Sequence, residues 1–249
     1  MTHDRERVLG YWDRDDVESM YDKHLLASEI DLIRRRIPPG SKVLDAGCGE
    51  GEGTLAYASI RGVRIHAADF STTRLAKARV RLQACPNVEL RHVDFLGQYT
   101  LDADYDVVVS QRFLINLLDR QLQERVLLDL MGLLRPGGRL LMLEGWEEGV
   151  ASLNAFRACL GLEPIPVKWH NLFFEHERLV TFMASHGFRL VDEDGLGAYF
   201  LLTRGVRPAL DVDLDWDCEF NRRAALPATA GALALGSRFS RLKLWAFEK

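Results

Sequence analysis

Cysteine is scarce in this 249-residue chain, and the four present, Cys48, Cys85, Cys159 and Cys218, never fall at the spacing of a metal knuckle. That argues against a zinc site and against a disulfide framework, and it leaves four free thiols expected to act as small, buried or half-buried apolar groups. Long apolar runs are missing too. No stretch of ~18 apolar residues occurs, so no membrane insertion is expected. The opening Met1-Thr2-His3-Asp4-Arg5-Glu6-Arg7 is polar where a signal peptide needs an apolar run, which points to the cytoplasm. Blocks of one charge are absent as well: the net charge is −4, and Lys and Arg are interleaved with Asp and Glu. Nucleic acid is therefore not an expected partner, because neutralising phosphates needs a basic face. There is no internal repeat and no low-complexity tract.

What is present is an ordinary globular composition, 47% hydrophobic and 27% charged, in a chain long enough to bury a sizeable core. A single domain is expected over residues 1–249. Residues 17–36 carry apolar positions at helical spacing and end at Pro38-Pro39-Gly40, so 1–39 reads as an N-terminal helical cap. Apolar runs then alternate with amphipathic stretches: strands at 42–46, 63–68 and 88–93, helices at 52–61 and 71–83. This rhythm predicts βαβ units and a parallel sheet. A strand at 105–110, a helix at 120–134 ended by Pro136-Gly137-Gly138, and a strand at 139–144 complete a core over 40–145. Beyond it, an insertion at 146–176, rich in aromatics, is expected to fold as a lid over a binding site. Residues 177–249 supply a helix to 186, a strand at 189–191, a second insertion at 195–240, and an alternating last strand at 242–247.

The chemistry concentrates in Val43-Leu44-Asp45-Ala46-Gly47-Cys48-Gly49-Glu50-Gly51, where an apolar strand turns on glycines into a helix. Glycine at such a turn lets the backbone approach a ligand closely. Asp69 follows the second strand, about twenty residues on, where a carboxylate can accept from both hydroxyls of a ribose. Asp94-Phe95 follows the third strand and offers a carboxylate and a ring to an adenine. Ser110-Gln111-Arg112 follows the fourth. All lie at carboxyl ends of parallel strands, where open α/β sheets bind ligands. Standing alone, Asp94 would as readily cap a turn and Phe95 join the core. A dinucleotide enzyme is the rival reading, but it wants Gly-x-Gly-x-x-Gly and a helix end free for pyrophosphate. Here the spacing is Gly-x-Gly-x-Gly, and Glu50 and Glu52 would repel a pyrophosphate while tolerating a cationic ligand.

Residues 43–54, 65–70, 92–95, 105–112 and 135–144 resemble the successive motifs of class I S-adenosylmethionine-dependent methyltransferases. The resemblance covers somewhat under half of the chain. It implies a doubly wound, Rossmann-like α/β fold with a seven-stranded, mostly parallel sheet whose last strand is antiparallel, and S-adenosyl-L-methionine as cofactor. On the matching positions, Asp45 and the loop Gly47, Cys48, Gly49 and Gly51 would hold the methionine part. Asp69, with Phe70 beside it, would hold the ribose, Asp94 and Phe95 would flank adenine, and Ser110 and Gln111 would line the floor near the methyl group.

The strand-four loop narrows the acceptor. Nucleic-acid amino methyltransferases typically carry Asp/Asn-Pro-Pro-aromatic there and catechol-type enzymes a metal-binding Asp, whereas this chain has Ser110-Gln111-Arg112-Phe113. A metal-free enzyme acting on a small molecule is expected. His170 is the candidate general base, titrating near neutrality, with the alternative that it only bonds a loop backbone. Trp146, Trp169, Asn171 and Phe173, with Phe174 and Arg112, are expected around the acceptor. More faintly, the outer segments resemble bacterial methyltransferases of sugars, glycans and natural products. In that setting Tyr11, Trp12 and Tyr21 would close over the cofactor, unless Tyr11 and Trp12 merely pack on a hinged cap. Three functions stay open: an O-methyltransferase of a sugar or glycan, an N- or C-methyltransferase of a small metabolite, and a non-catalytic cofactor-binding module. The protein is expected to be a monomer or a homodimer.

Overall fold

The computed structural model describes residues 2–17, 20–210 and 215–249. Seven strands form one sheet in the order β3-β2-β1-β4-β5-β7-β6: β1 (Lys42–Ala46), β2 (Arg64–Asp69), β3 (Val88–His92), β4 (Tyr105–Gln111), β5 (Leu134–Gly145), β6 (Arg189–Gly195) and β7 (Leu242–Glu248). β1 through β5 run parallel, and β7 is antiparallel to both β5 and β6. This is the expected mostly parallel sheet with an antiparallel last strand.

Successive residues of each central strand point to opposite faces, and both faces are covered. Leu44, Val108, Leu140 and Met142 pack on one side with Val126, Leu127 and Leu130 of the helix Arg120–Gly132. Val43, Val107, Val109 and Leu141 pack on the other with Leu32 and Ile33 of the helix Lys23–Arg34. In chain order the helices are α1 (Thr2–Trp12), α2 (Lys23–Arg34), α3 (Glu52–Ala58), α4 (Thr72–Arg81), α5 (Arg120–Gly132), α6 (Glu147–Cys159) and α7 (His176–Ser185). A helical run over 197–209, interrupted by a π-helical segment Leu201–Val206, and the short helices Glu219–Ala224 and Pro227–Leu233 fill the second insertion.

Several boundaries differ from the expected ones. The helix expected at 17–36 begins only at Lys23, because the Asp22 side chain caps it by accepting from Leu25 N at 3.0 Å. α1 is a separate helix ahead of it. β5 begins at Leu134, paired with Tyr105, so Pro136-Gly137-Gly138 lies inside the strand's span. The first insertion is half helical: α6 buries Val150 and Leu153, and only 160–175 forms the returning loop. Gly149 makes that packing possible, since a Cβ there would sit 1.8 Å from the Ser240 carbonyl oxygen. Cys159, expected buried or half-buried, is exposed at the end of α6.

One buried acid shapes the loop after β4. Glu144, fully buried on β5, accepts from Ser110 Oγ (2.6 Å), from Phe113 N and Leu114 N (3.0 Å each) and from Ile115 N (3.2 Å). Burial pushes its carboxyl up to about 7, against the pull of these four donors. Removing it strands buried donors that cost ~1–3 kcal/mol each when unpaired. Glu144→Ala is expected to lower unfolding stability by ~3 kcal/mol or more in urea titrations, with Glu144→Gln, which keeps one acceptor oxygen, losing less. Equal losses in the two variants would refute this reading of the loop.

Candidate active site

The carboxyl ends of β1 to β4 open into one crevice of about 500 Å³. Its floor is the turn after β1. Gly47, Gly49 and Gly51 all adopt positive φ (74°, 56° and 81°), the left-handed region that favours glycine. At Gly47 a side chain is excluded by contact as well, because a Cβ would lie 2.6 Å from Phe113 Cβ. At Gly49 the space above the backbone is open, and the crevice lies there.

Asp69, at the end of β2, holds this turn. Its Oδ2 accepts from Gly49 N at 2.8 Å and its Oδ1 from Ser71 N at 2.9 Å. Burial raises its pKa, against these backbone bonds. Asp45 is buried beneath the turn, accepts from Thr54 Oγ1 at 2.6 Å, and is pushed up to about 6 by burial. Asp45, Gly47, Cys48 and Gly49 line the crevice, as do Asp69 and Phe70. Asp94 and Phe95 line it from the end of β3. Asp94 does cap its own turn, accepting from Leu96 N at 2.9 Å, and Phe95 packs on Tyr99 and Phe113. Beside them Val93, Leu117, Leu118 and Leu122 make an apolar slot.

From β4, Gln111 and Arg112 reach the crevice. Gln111 donates to Glu29 Oε2 at 3.0 Å and accepts from Tyr57 OH at 3.2 Å. Arg112 has φ +54°, a conformation costing a non-glycine residue of order 1–3 kcal/mol. It is held by Arg112 N donating to Leu143 O (3.0 Å) and by Asn116 Nδ2 donating to Arg112 O (2.7 Å), while its Nε lies 3.3 Å from buried Glu29.

The mouth is closed by α1 and by the loop 168–173. Trp12 Nε1 and Asn171 Nδ2 both donate to Asn116 Oδ1, at 3.1 and 3.2 Å. Tyr11 stacks on His170 with ring centroids 4.7 Å apart. Arg74 clamps the cap by donating to Trp12 O and Val17 O, at 2.8 and 3.2 Å. His170, Asn171 and Phe173 line the crevice, with Tyr21, 61% exposed, at its rim. His170 is buried, its Nδ1 has no hydrogen-bond partner among the described residues, and burial together with Lys168 pushes its pKa down to about 4. It is neutral at physiological pH.

Six expected residues stand elsewhere. Ser110 is fully buried and serves Glu144, so it does not form the floor. Gly51 caps α3, and its Cα faces Leu82, the residue that follows α4. Trp146 is buried against β7, donating from Nε1 to Ser240 O at 2.6 Å beneath Lys243. Tyr11 and Trp169 pack behind His170, with Trp169 44% exposed under Arg7. Phe174 belongs to the core. The repulsion expected from Glu50 and Glu52 is also largely answered: Arg74 and Lys77 of α4 lie 3.4 Å from Glu50, and Arg81 lies 2.9 Å from Glu52. Asp22, Glu29 and Arg204 carried no local motif, and only the fold brings them to or beneath the crevice. Among the described residues, no group of three or more His, Cys, Asp or Glu gathers as a metal would require, and no helix is long and apolar enough to cross a membrane.

These residues fit an adenosyl sulfonium. The open backbone at Gly49, a buried carboxylate on each side of it in Asp45 and Asp69, and an apolar slot rimmed by Asp94 match in turn a cationic amino-acid moiety, a ribose and an adenine.

Comparison with known proteins agrees. Residues 43–138 match a family model described as a methyltransferase domain. An O-methyltransferase of Pyrenophora dematioidea is 25% identical over 74% of this chain and 68% of its own length. A demethylmenaquinone methyltransferase of a Geobacillus species is 27% identical over 57% of this chain, which spans 61% of that protein. Among solved structures, a SAM-dependent methyltransferase from Geobacter sulfurreducens in complex with S-adenosyl-L-homocysteine aligns over 97% of both chains, with a TM-score of 0.56 at 20% identity. Residues 43–138 thus carry a methyltransferase domain, and in its strand order, its glycine turn and the acids at the ends of β2 and β3 the chain is similar to class I S-adenosylmethionine-dependent methyltransferases.

Proposed function

We propose that the protein transfers a methyl group from S-adenosylmethionine to a small molecule, without a metal, and that a hydroxyl of a sugar or glycan is the preferred acceptor. The observation that carries this is that one crevice is lined both by the glycine turn, Asp69 and Asp94 and by Arg112, His170, Asn171 and Phe173; on this reading the first group takes the cofactor and the second the acceptor. The similarity to an O-methyltransferase supports oxygen as the acceptor atom.

The cofactor, when bound, supplies an electrophilic methyl group on a sulfonium. The protein's share is alignment and exclusion of water, and positioning alone is worth roughly 7–11 kcal/mol. Asp69 offers its remaining lone pairs to ribose hydroxyls, Asp94 and Phe95 flank the adenine, Asp45 faces the amino-acid moiety, and α1 with Asn116 and Asn171 shuts the mouth. As an acceptor oxygen takes the methyl group, its proton passes to His170. A second reading, an amine or an acidic carbon as acceptor, is favoured by the His170 pKa of about 4, because so weak a base suits a nucleophile that needs little deprotonation.

S-adenosylhomocysteine is expected to raise the thermal midpoint of the protein, and Asp69→Ala is expected to abolish the shift. An unchanged shift in that variant would remove the ribose assignment. Affinity should also rise with pH. Asp45 has its pKa raised to about 6, so below that value the carboxyl is neutral and must lose a proton before it attracts the ligand's ammonium, whereas above it the charge is already present. Titration calorimetry is expected to show tighter S-adenosylhomocysteine binding at pH 7 than at pH 5, and Asp45→Asn is expected to flatten that dependence.

His170→Ala is expected to lower turnover of labelled methyl transfer by roughly 10²–10⁴-fold if the imidazole takes the proton. With a pKa near 4 the base is already free at pH 5.5, so kcat/KM should show no His170 limb between pH 5.5 and 7.5. Weakened acceptor binding at normal turnover would make His170 a wall of the site instead.

A further inference from the structure

The crevice is electrically lopsided. Its cofactor end carries Asp45, Asp69 and Asp94, while its acceptor end carries Arg112, Lys168, Arg204 and Arg241. These cations come from four separate stretches of chain: the β4 loop, the first insertion, the helical run of the second insertion and the start of β7. They stand close enough to act on one another. Arg112 and Arg204 both press on Arg241, whose pKa falls to about 10 mainly through burial. Arg112 and Arg241 likewise press on Lys168.

Protein carboxylates answer only some of this charge. Asp22 pairs with Arg204 Nη2 at 2.6 Å, but it also caps α2 and accepts from Tyr199 OH, so its oxygens are occupied. Among the described residues, Arg204 Nη1 is left buried without a hydrogen-bond partner. Glu29 lies 3.3 Å from Arg112. Among the described residues no carboxylate pairs with Lys168 or Arg241; Arg241 donates only to the Pro166 carbonyl, at 3.1 Å. The carboxylate of the cofactor's methionyl group can answer one more cation, which still leaves an excess. Holding several cations together around a half-enclosed crevice costs free energy unless an anion enters.

We propose that the methyl acceptor carries an oxyanion, a carboxylate or a phosphate ester, which is taken by Arg241, Lys168 and the free Nη1 of Arg204. This rests on the methyltransferase reading for the position of the acceptor end. Guanidinium groups bind both anions bidentately, and Arg241, Lys168 and Arg204 line the same crevice as the glycine turn. The acceptor's nucleophilic atom would then lie between the anchored anion and the cofactor end, on the side of His170. A neutral sugar leaves these charges unanswered, so among sugars the proposal selects uronic acids and sugar phosphates.

The test uses the protein saturated with S-adenosylhomocysteine, titrated with benzoate, its neutral isostere benzamide, and inorganic phosphate. Saturable binding of benzoate or phosphate is expected, with benzamide at least 10-fold weaker, and the stronger of the two anions identifies the source. Arg241→Gln and Lys168→Gln are each expected to weaken the anion at least about 10-fold, through loss of a charge-assisted hydrogen bond, and Arg241→Lys is expected to restore part of it. The S-adenosylhomocysteine shift of each variant, measured alone, reports folding and the cofactor site. Benzamide binding as tightly as benzoate, or an unchanged anion affinity in both Gln variants, would overturn the proposal. So would loss of S-adenosylhomocysteine binding in those variants, which would assign the cations to the cofactor. Failure of the wild-type protein to bind S-adenosylhomocysteine would strike the methyltransferase reading instead, and anion titration of the ligand-free protein separates the two.

Discussion

The hydrogen bond from Gly49 N to Asp69 Oδ2 is the constraint on which the site depends. It ties the turn after β1 to the end of β2, and it does so with a carboxylate that burial penalises. That cost is offset because the same carboxylate also takes Ser71 N, the start of α4. The turn then constrains its neighbours. Gly47 lies so close to Phe113 that the β4 loop has one place to go, and Glu144 fixes that loop by collecting the N–H groups of residues 113–115. Two buried acids therefore set the floor and one wall of the crevice, each satisfied mainly by backbone donors.

The cap is attached by polar contacts to groups that already belong to the site. Arg74 leaves the first turn of α4 to hold two carbonyls of the N-terminal segment, and Ser71 Oγ donates to Asp13 at 2.6 Å. Asn116 joins cap, β4 loop and first insertion through one amide. Little apolar area fastens residues 6–12 of α1, which apart from Val8 are half-buried or exposed. An element held by a few hydrogen bonds and ring contacts can open at modest cost, which suits a cap that must admit both a cofactor and an acceptor.

The sheet was legible because its strands are nearly continuous apolar runs between glycine and proline punctuation, and the cofactor end was legible because its residues follow strands at fixed intervals. Asp45, Gly47, Gly49, Asp69, Asp94 and Gln111 all reach one crevice for that reason. Ser110 misled because alternation along β4 puts it on the sheet face shared by Glu144 of β5, while Gln111 takes the opposite face. Trp146 and Phe174 misled because an aromatic in a long insertion reads the same whether it caps a pocket or fills a core. Asp22, Glu29 and Arg204 were illegible for a different reason. The partners that join them to the crevice lie 82 to 182 residues away along the chain, and no local spacing encodes such a meeting.

The acceptor end joins the two proposals through one electrostatic coupling. His170 is a weak base because it is buried and, secondarily, because Lys168 stands near it. An acceptor whose anion neutralises Lys168 removes that second influence and adds a negative charge nearby, and both changes raise the affinity of the imidazole for a proton. The histidine would then be least basic when the crevice is empty and more basic when an acceptor is anchored. On this account the cationic end sets where the acceptor lies and also when its proton can leave. A neutral acceptor of the same shape would forgo both effects, so its penalty should fall on turnover as well as on binding.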